Sequence, residues 1–229
     1  MTTATRKNWD DHVAHAEEVA RGAGFRDLRD RILDLAEPTS SDIAVDVGSG
    51  TGLLTIPLAA KVQQVWAVDV APLMGEYVRA KAASAGMSNV EVATASAVSL
   101  PLVDGSATLV VSNYCFHHLN DPGKRRVLAE VHRVLKPGGR LVFGDMMFRV
   151  SVADPRDRLL MRTKVIAMLR KGPAGLLRLA KNGLRFAGGR WERPARAGWW
   201  EAALREAGFA DVHVELLSHE GGLAVARRP

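Results

Sequence analysis

Between residues 42 and 144, short apolar runs alternate with helical patterns, which is what a parallel sheet flanked by helices requires. The runs Val65-Trp66-Ala67-Val68-Asp69-Val70 and Ala107-Thr108-Leu109-Val110-Val111-Ser112 read as buried strands. Further strands are expected at residues 42–48, 90–93 and 140–144, with helices at 52–61, 72–85 and 121–135. Gly86 stands where a C-terminal cap of the second helix belongs, and Lys136-Pro137-Gly138-Gly139 is a stop signal for the third. Two last strands, at 212–217 and 222–226, are separated by a loop too short for a crossover, so they must form an antiparallel hairpin. The expected fold class is α/β: one domain over residues 1–229, built on a seven-stranded, mostly parallel sheet with helices on both faces and a C-terminal antiparallel hairpin.

The run Val45-Asp46-Val47-Gly48-Ser49-Gly50-Thr51-Gly52 closes the first strand and opens the first helix. Glycines at alternate positions let the backbone turn tightly and approach a ligand, and Asp46 puts a carboxylate at the mouth of the turn. A nucleoside-bearing cofactor suits such a turn. A dinucleotide turn, G-x-G-x-x-G, would need glycine at 53, where the chain has Leu53. A G-x-x-x-x-G-K-[ST] phosphate loop is absent as well. Residues 1–40, with one or two helices near 9–35, are expected to lie over this end of the sheet as a partial lid.

The net charge of +6 is unevenly placed. Residues 149–193 hold twelve Lys/Arg against Asp154, Asp157 and Glu192, a local charge of +9 that leaves the remainder at −3. This stretch is about 45 residues where a βα loop is usually about 2–6, so it is read as a helical insert. In its first half Leu159, Met161, Val165, Ile166, Met168 and Leu169 share one sector of a helical wheel, opposite Arg156, Lys164, Arg170 and Lys171. In the second, Arg178, Lys181, Asn182 and Arg185 oppose Leu176, Leu179, Leu184 and Phe186. A lone cysteine, Cys115, no apolar N-terminal stretch and no apolar run of membrane-spanning length lead to an expected cytoplasmic location.

Asp46-x-Gly48-x-Gly50-x-Gly52 resembles the first motif of class I S-adenosylmethionine-dependent methyltransferases. Three more segments are similar in order: Asp69 after strand two, Leu100-Pro101-Leu102-Val103-Asp104-Gly105-Ser106 followed by strand four and His117-His118-Leu119, and Val131-His132-Arg133-Val134-Leu135-Lys136-Pro137-Gly138-Gly139. The match covers about residues 43–144 and is closest to the small-molecule branch that includes the ubiquinone and menaquinone biosynthesis methyltransferases. The resemblance implies a Rossmann-like fold and S-adenosylmethionine as cofactor, with S-adenosylhomocysteine as product. It implies a cofactor site of Asp46, Gly48, Ser49, Gly50, Gly52, Asp69, Val70, Met74, Ser96, Ala97 and Asn113, with Asp69 gripping the ribose hydroxyls. Ser96, followed by Ala97, stands where the family often carries an acid for the adenine amino group, and a hydroxyl is the weaker acceptor. Trp9 and His12 are candidates to close over the cofactor from the lid, or else pack within it.

Methyl transfer from a sulfonium mainly needs aligned partners, with a base only where the nucleophile must lose a proton. His117 and His118, just after strand four, are the first candidates, since an imidazole can act as a base near neutral pH. Asp145, ending strand five, is the second; packing and capping are the alternatives. Asn113 and Tyr114 are expected to line the site, while His15, His132, His213 and His219 carry no special signal. Asn113-Tyr114-Cys115-Phe116 lacks the Pro-Pro pair of enzymes acting on nucleobase amines. One thiol does not suit arsenite methylation, and no acids cluster around strand four, so no metal is expected. The expected acceptor is an oxygen, nitrogen or carbon nucleophile on a small, fairly apolar metabolite. Alternatives are a lipid methyltransferase at a membrane surface and a non-catalytic cofactor-binding interaction protein. The insert is read as a substrate lid, an anionic-membrane contact, a face for an acidic partner, or a dimer face; few aromatics argue against nucleic acid.

Overall fold

The computed structural model describes residues 10, 13–20, 22–149, 151, 153–187 and 193–229. Seven strands form one sheet: β1 (Ile43–Val47), β2 (Gln64–Asp69), β3 (Val90–Thr94), β4 (Ala107–Asn113), β5 (Leu135–Met146), β6 (Ala210–Leu216) and β7 (Gly221–Arg227). Their order is β3-β2-β1-β4-β5-β7-β6. β1 to β5 pair in parallel, and β7 runs antiparallel to both β5 and β6. The sheet and its terminal hairpin are those expected from the alternation of apolar runs.

The helices are α1 (Val13–Ala20), α2 (Ala23–Ala36), α3 (Thr55–Ala59), α4 (Pro72–Ser84), α5 (Asp121–Val134), α6 (Pro155–Leu169), α7 (Gly172–Ala187) and α8 (Ala197–Glu206). Central strands buried on both faces read as continuous apolar runs, and Ala44, Val45, Val47, Leu109, Val110 and Val111 are completely buried. On one face they meet Val127, Leu128 and Val131 of α5 with Trp200 and Leu204 of α8. On the other they meet Leu28, Ile32 and Leu33 of α2 with Leu54 and Leu58. Strand order reverses between β1 and β4, so a crevice opens at their carboxyl ends.

Two elements depart from the sequence expectation. α3 starts at Thr55 rather than Gly52, because Gly52 has φ +84°, a left-handed conformation that cannot sit inside a right-handed helix. β5 starts at Leu135, directly after α5, and takes Lys136-Pro137-Gly138-Gly139 into the strand through a register shift. Gly138 has φ +78° there, and the segment pairs with the C-terminal tail: the Gly138 N–H donates to Arg228 O and the Arg228 N–H to Gly139 O. The described N-terminal helices reach the crevice through α1 and the start of α2. α2 runs along the sheet, its stripe Leu28, Ile32 and Ala36 fully buried, and a Cβ at Gly144 of β5 would lie 2.9 Å from Leu28 and 3.0 Å from Ile32. Trp9 and His12 lie outside the described residues, as do the side chains of Arg185 and Phe186.

Within the insert, α6 lacks the two-faced character expected of it. At 100° per residue Arg158 and Arg162 fall among its apolar residues and Leu160 falls on the basic side. α7 keeps the expected division, with Leu176, Leu179 and Leu184 opposite Arg178, Lys181 and Asn182.

Candidate active site

At the carboxyl end of β1 the backbone folds back on β2, with the N–H groups of Gly48 and Ser49 both donating to Val68 O at 2.8 and 3.1 Å. Gly48 has φ +73°, and a Cβ there would lie 2.3 Å from Cys115 Sγ, so only glycine admits this approach of β4's end to the turn. The Gly50 N–H donates to Asp69 Oδ2 at 2.9 Å, and Asp69 Oδ1 accepts the Ala71 N–H at 2.9 Å. Asp69 therefore holds the glycine turn and the start of α4 together.

Beyond the turn lies a cavity of about 530 Å3, within the range of about 300–1,000 Å3 usual for small-molecule sites. Asp46, Gly48, Ser49 and Gly50 line it from β1, and Asp69, Val70 and Met74 from β2 and α4. Ser96, Ala97 and Asn113 line it from the loop after β3 and the end of β4. Gly52 does not: its left-handed turn packs toward Val78 and Ile56. Ser49 Oγ and Asn113 Oδ1 are buried at this cavity without a hydrogen-bond partner, an arrangement that calls for a ligand's polar groups.

The field in the cavity suits a cation. Two carboxylates line it, and among its described lining residues the only basic side chains are histidines. A pyrophosphate would face Asp46 and Asp69 with no Lys or Arg to balance it. Burial pushes the Asp46 carboxyl up to about 7, with Asp69's charge adding to the rise and the Thr55 hydroxyl, donating at 2.6 Å, opposing it. Burial also raises Asp69, against the pull of the Ala71 and Gly50 N–H groups.

The Asp46 shift has a consequence for stability. Its folded value lies above the ordinary 3.8, so between about pH 4 and pH 7 the folded chain keeps a proton that the unfolded chain has released. Its contribution to stability therefore falls as pH rises through that window. Thermal melts of ligand-free protein from pH 4.5 to 8 are expected to show Asp46→Asn gaining on the native chain as pH rises. Parallel curves would place the titration elsewhere.

After β4 the chain turns sharply: Tyr114 is left-handed at φ 49°, and its N–H donates to Gly144 O at 2.8 Å. A 3-10 turn, Phe116–His118, then brings His117 against the end of β5. There Asp145, 1% exposed, accepts three N–H groups. These are the His117 backbone N–H at 2.9 Å, His117 Nδ1 at 2.6 Å and the Met146 N–H at 2.6 Å. A carboxylate holding Nδ1–H leaves Nε2 as the nitrogen with an open lone pair. His117 lines the cavity whereas Asp145 does not, and His118 lines it beside His117, their ring centroids 3.9 Å apart. The two base candidates His117 and Asp145 are thus one buried pair.

Sequence reasoning missed His15, Ala16 and Phe25, which close one side of the cavity. α1 is held there by the Lys81–Glu17 ion pair at 2.9 Å, and Asp10 accepts the Leu73 N–H at 3.0 Å. Phe25 packs on Tyr114 at 4.8 Å between ring centroids. A signal for Phe25 existed: with Leu28 and Ile32 it continues one helical stripe at i, i+3, i+7, past the edge of the sheet. No described residue of the 149–193 insert lines the cavity.

Residues 44–139 match a family model described as a methyltransferase domain. An uncharacterized methyltransferase of Geobacillus kaustophilus is 32% identical over 145 residues, 62% of this chain and 64% of that one. One from Oceanobacillus iheyensis is 31% identical over 124 residues, 54% of this chain and 56% of that one. The chain thus spans less than two thirds of the length of these curated relatives. A S-adenosylmethionine-dependent methyltransferase from Aquifex aeolicus has the same fold, with a TM-score of 0.66 at 19% identity over 95% of this chain and 98% of that one.

Proposed function

We propose, for a chain whose residues 44–139 match a methyltransferase-domain family model, that it moves a methyl group from S-adenosylmethionine to a small acceptor that loses a proton. The observation that carries this reading is one cavity lined both by two carboxylates and by an imidazole that a buried carboxylate holds. When bound, the cofactor supplies an electrophilic methyl group on a sulfonium that departs as a neutral thioether.

The chain's own residues divide the remaining work. Asp69 has lone pairs left on both oxygens for a ribose diol, since each accepts one backbone N–H. Asp46 offsets positive charge on the ligand, and Ser49 Oγ and Asn113 Oδ1 give it polar contacts. Phe25, Leu119, Met146 and the ring of Tyr114 give the cavity apolar lining that suits a fairly apolar acceptor. His117 Nε2 takes the acceptor's O–H, N–H or activated C–H proton, while Asp145 fixes the ring and stabilises the imidazolium.

Calorimetric titration with S-adenosylmethionine is the first test, and binding is expected where nicotinamide dinucleotides give none. Affinity is expected to rise with pH up to about 7, by at most about tenfold per unit, because a cationic ligand favours ionised Asp46. Incubation with methyl-labelled cofactor and a metabolite extract then separates transfer from binding alone: label must appear in a small molecule. Absence of cofactor binding sinks the whole reading, whereas binding without transfer to any acceptor removes only the enzyme.

A further inference from the structure

α6 and α7 carry a surface that the cavity does not use. Among the described residues, seven of the eleven exposed large apolar side chains lie on these two helices. On α7, Leu176, Leu177 and Leu184 are 55%, 73% and 75% exposed and lie together within the apolar half of the helix. α7 contains no acidic residue. Arg162, Arg170, Lys171, Arg178 and Lys181 have no ion-pair partner among the described residues, and all five are exposed. An apolar stripe bordered by unpaired cations is the pattern of a helix that lies in the plane of a bilayer surface.

We propose that α6 and α7 dock on an anionic lipid surface, with the leucines of α7 entering the headgroup boundary and the cations meeting lipid phosphates. Charge decides between occupants. A second copy would press a like-charged face against this one in a symmetric contact. Nucleic acid would match the charge but not the leucines, and no described side chain of either helix is aromatic for base stacking. The cavity is no competitor, since no described residue of the insert lines it.

The docked surface is firmly tied to the site. Arg156 donates to Met147 O and to the carbonyls of Leu217, His219 and Gly221, and Lys164 pairs with Glu220 at 2.9 Å. At the other end of the insert the Arg193 N–H donates to His117 O at 2.8 Å, and buried Lys124 holds Arg193 O at 2.6 Å. Both ends of the insert therefore meet the chain beside Asp145 and His117, so a docked insert is tied to the His117 side of the cavity.

The test is co-sedimentation of the full chain with vesicles of phosphatidylcholine alone and of phosphatidylcholine with phosphatidylglycerol. Binding is expected to the anionic vesicles at low salt and to fall more than about tenfold at 0.5 M salt. Leu176→Glu/Leu177→Glu/Leu184→Glu is expected to lower partition about 100-fold, and Arg178→Glu/Lys181→Glu about tenfold. Unchanged melting temperature and S-adenosylmethionine affinity in both variants show that they fold. No binding to anionic vesicles overturns the proposal, as does native-like binding by the leucine variant. A dimer that the leucine variant dissociates, or RNA binding without vesicle binding, overturns it in favour of the other occupants. None of these readouts depends on methyl transfer.

Discussion

His117→Ala is expected to lower kcat by about 10²–10⁴-fold, the usual contribution of a positioned general base, while S-adenosylmethionine binds as before. The geometry confines the loss to proton transfer. His117 meets Asp145 at 2.6 Å through Nδ1, and its backbone N–H is held by the same carboxylate, so removing the ring leaves the local chain path supported. Asp145→Asn should approach the same loss. Three N–H groups converge on the two Asp145 oxygens, whereas an amide offers one oxygen and a second donor, so at least one N–H must face another. The ring then loses its fixed tautomer. Single-turnover transfer of labelled methyl to the acceptor found by extract screening, with calorimetry of cofactor binding alongside, checks both variants. A native kcat for His117→Ala means that the acceptor sheds its proton without this residue. His118→Ala is the control: it lines the same cavity beside His117, and a loss below tenfold is expected.

Asp69→Ala is expected to weaken S-adenosylmethionine binding by about 100-fold or more, since each hydrogen bond to a charged group contributes about 1.5–3 kcal/mol. Two effects combine. The ribose diol loses its acceptor, and the Gly50 N–H loses the bond that holds the glycine turn against β2. Asp69→Asn separates them, because one amide oxygen keeps either the Gly50 or the Ala71 N–H but not both. Its affinity should fall between those of Asp69→Ala and the native chain. Calorimetry on variants with native melting temperatures decides the matter, and unchanged affinity in Asp69→Ala removes Asp69 from the ligand's contacts.

How much of this was legible depended on how local the cause was. Gly48 and Gly50 were readable because a left-handed backbone is a property of the residue itself. Asp69 was readable through the family resemblance, as the acid ending strand two, and the strand register sets it beside the end of β1, as the pairing of Val47 with Val68 reflects. Lys136–Gly139 was readable as the stop of α5, which ends at Val134, but not as part of β5, because its pairing partner is the C-terminal tail, some ninety residues away. α6 misled for a different reason: a broad sector of apolar residues says little when arginines fall inside it.

The sheet, the glycine turn and Asp46 at its mouth were legible in the chain itself, and Asp69 followed from the family resemblance. Strand-helix alternation, backbone conformational preference and short spacings all act within a few residues. Only the tertiary structure decided that Asp145 and His117, 28 residues apart, are one buried pair rather than rival bases. It also decided that His15 and Phe25 complete the cavity wall and that the leucines of α7 face outward from it. Those outcomes depend on which surfaces meet once the sheet is assembled, and apart from the stripe that Phe25 shares with Leu28 and Ile32, long-range contacts of this kind leave no periodic mark in the chain.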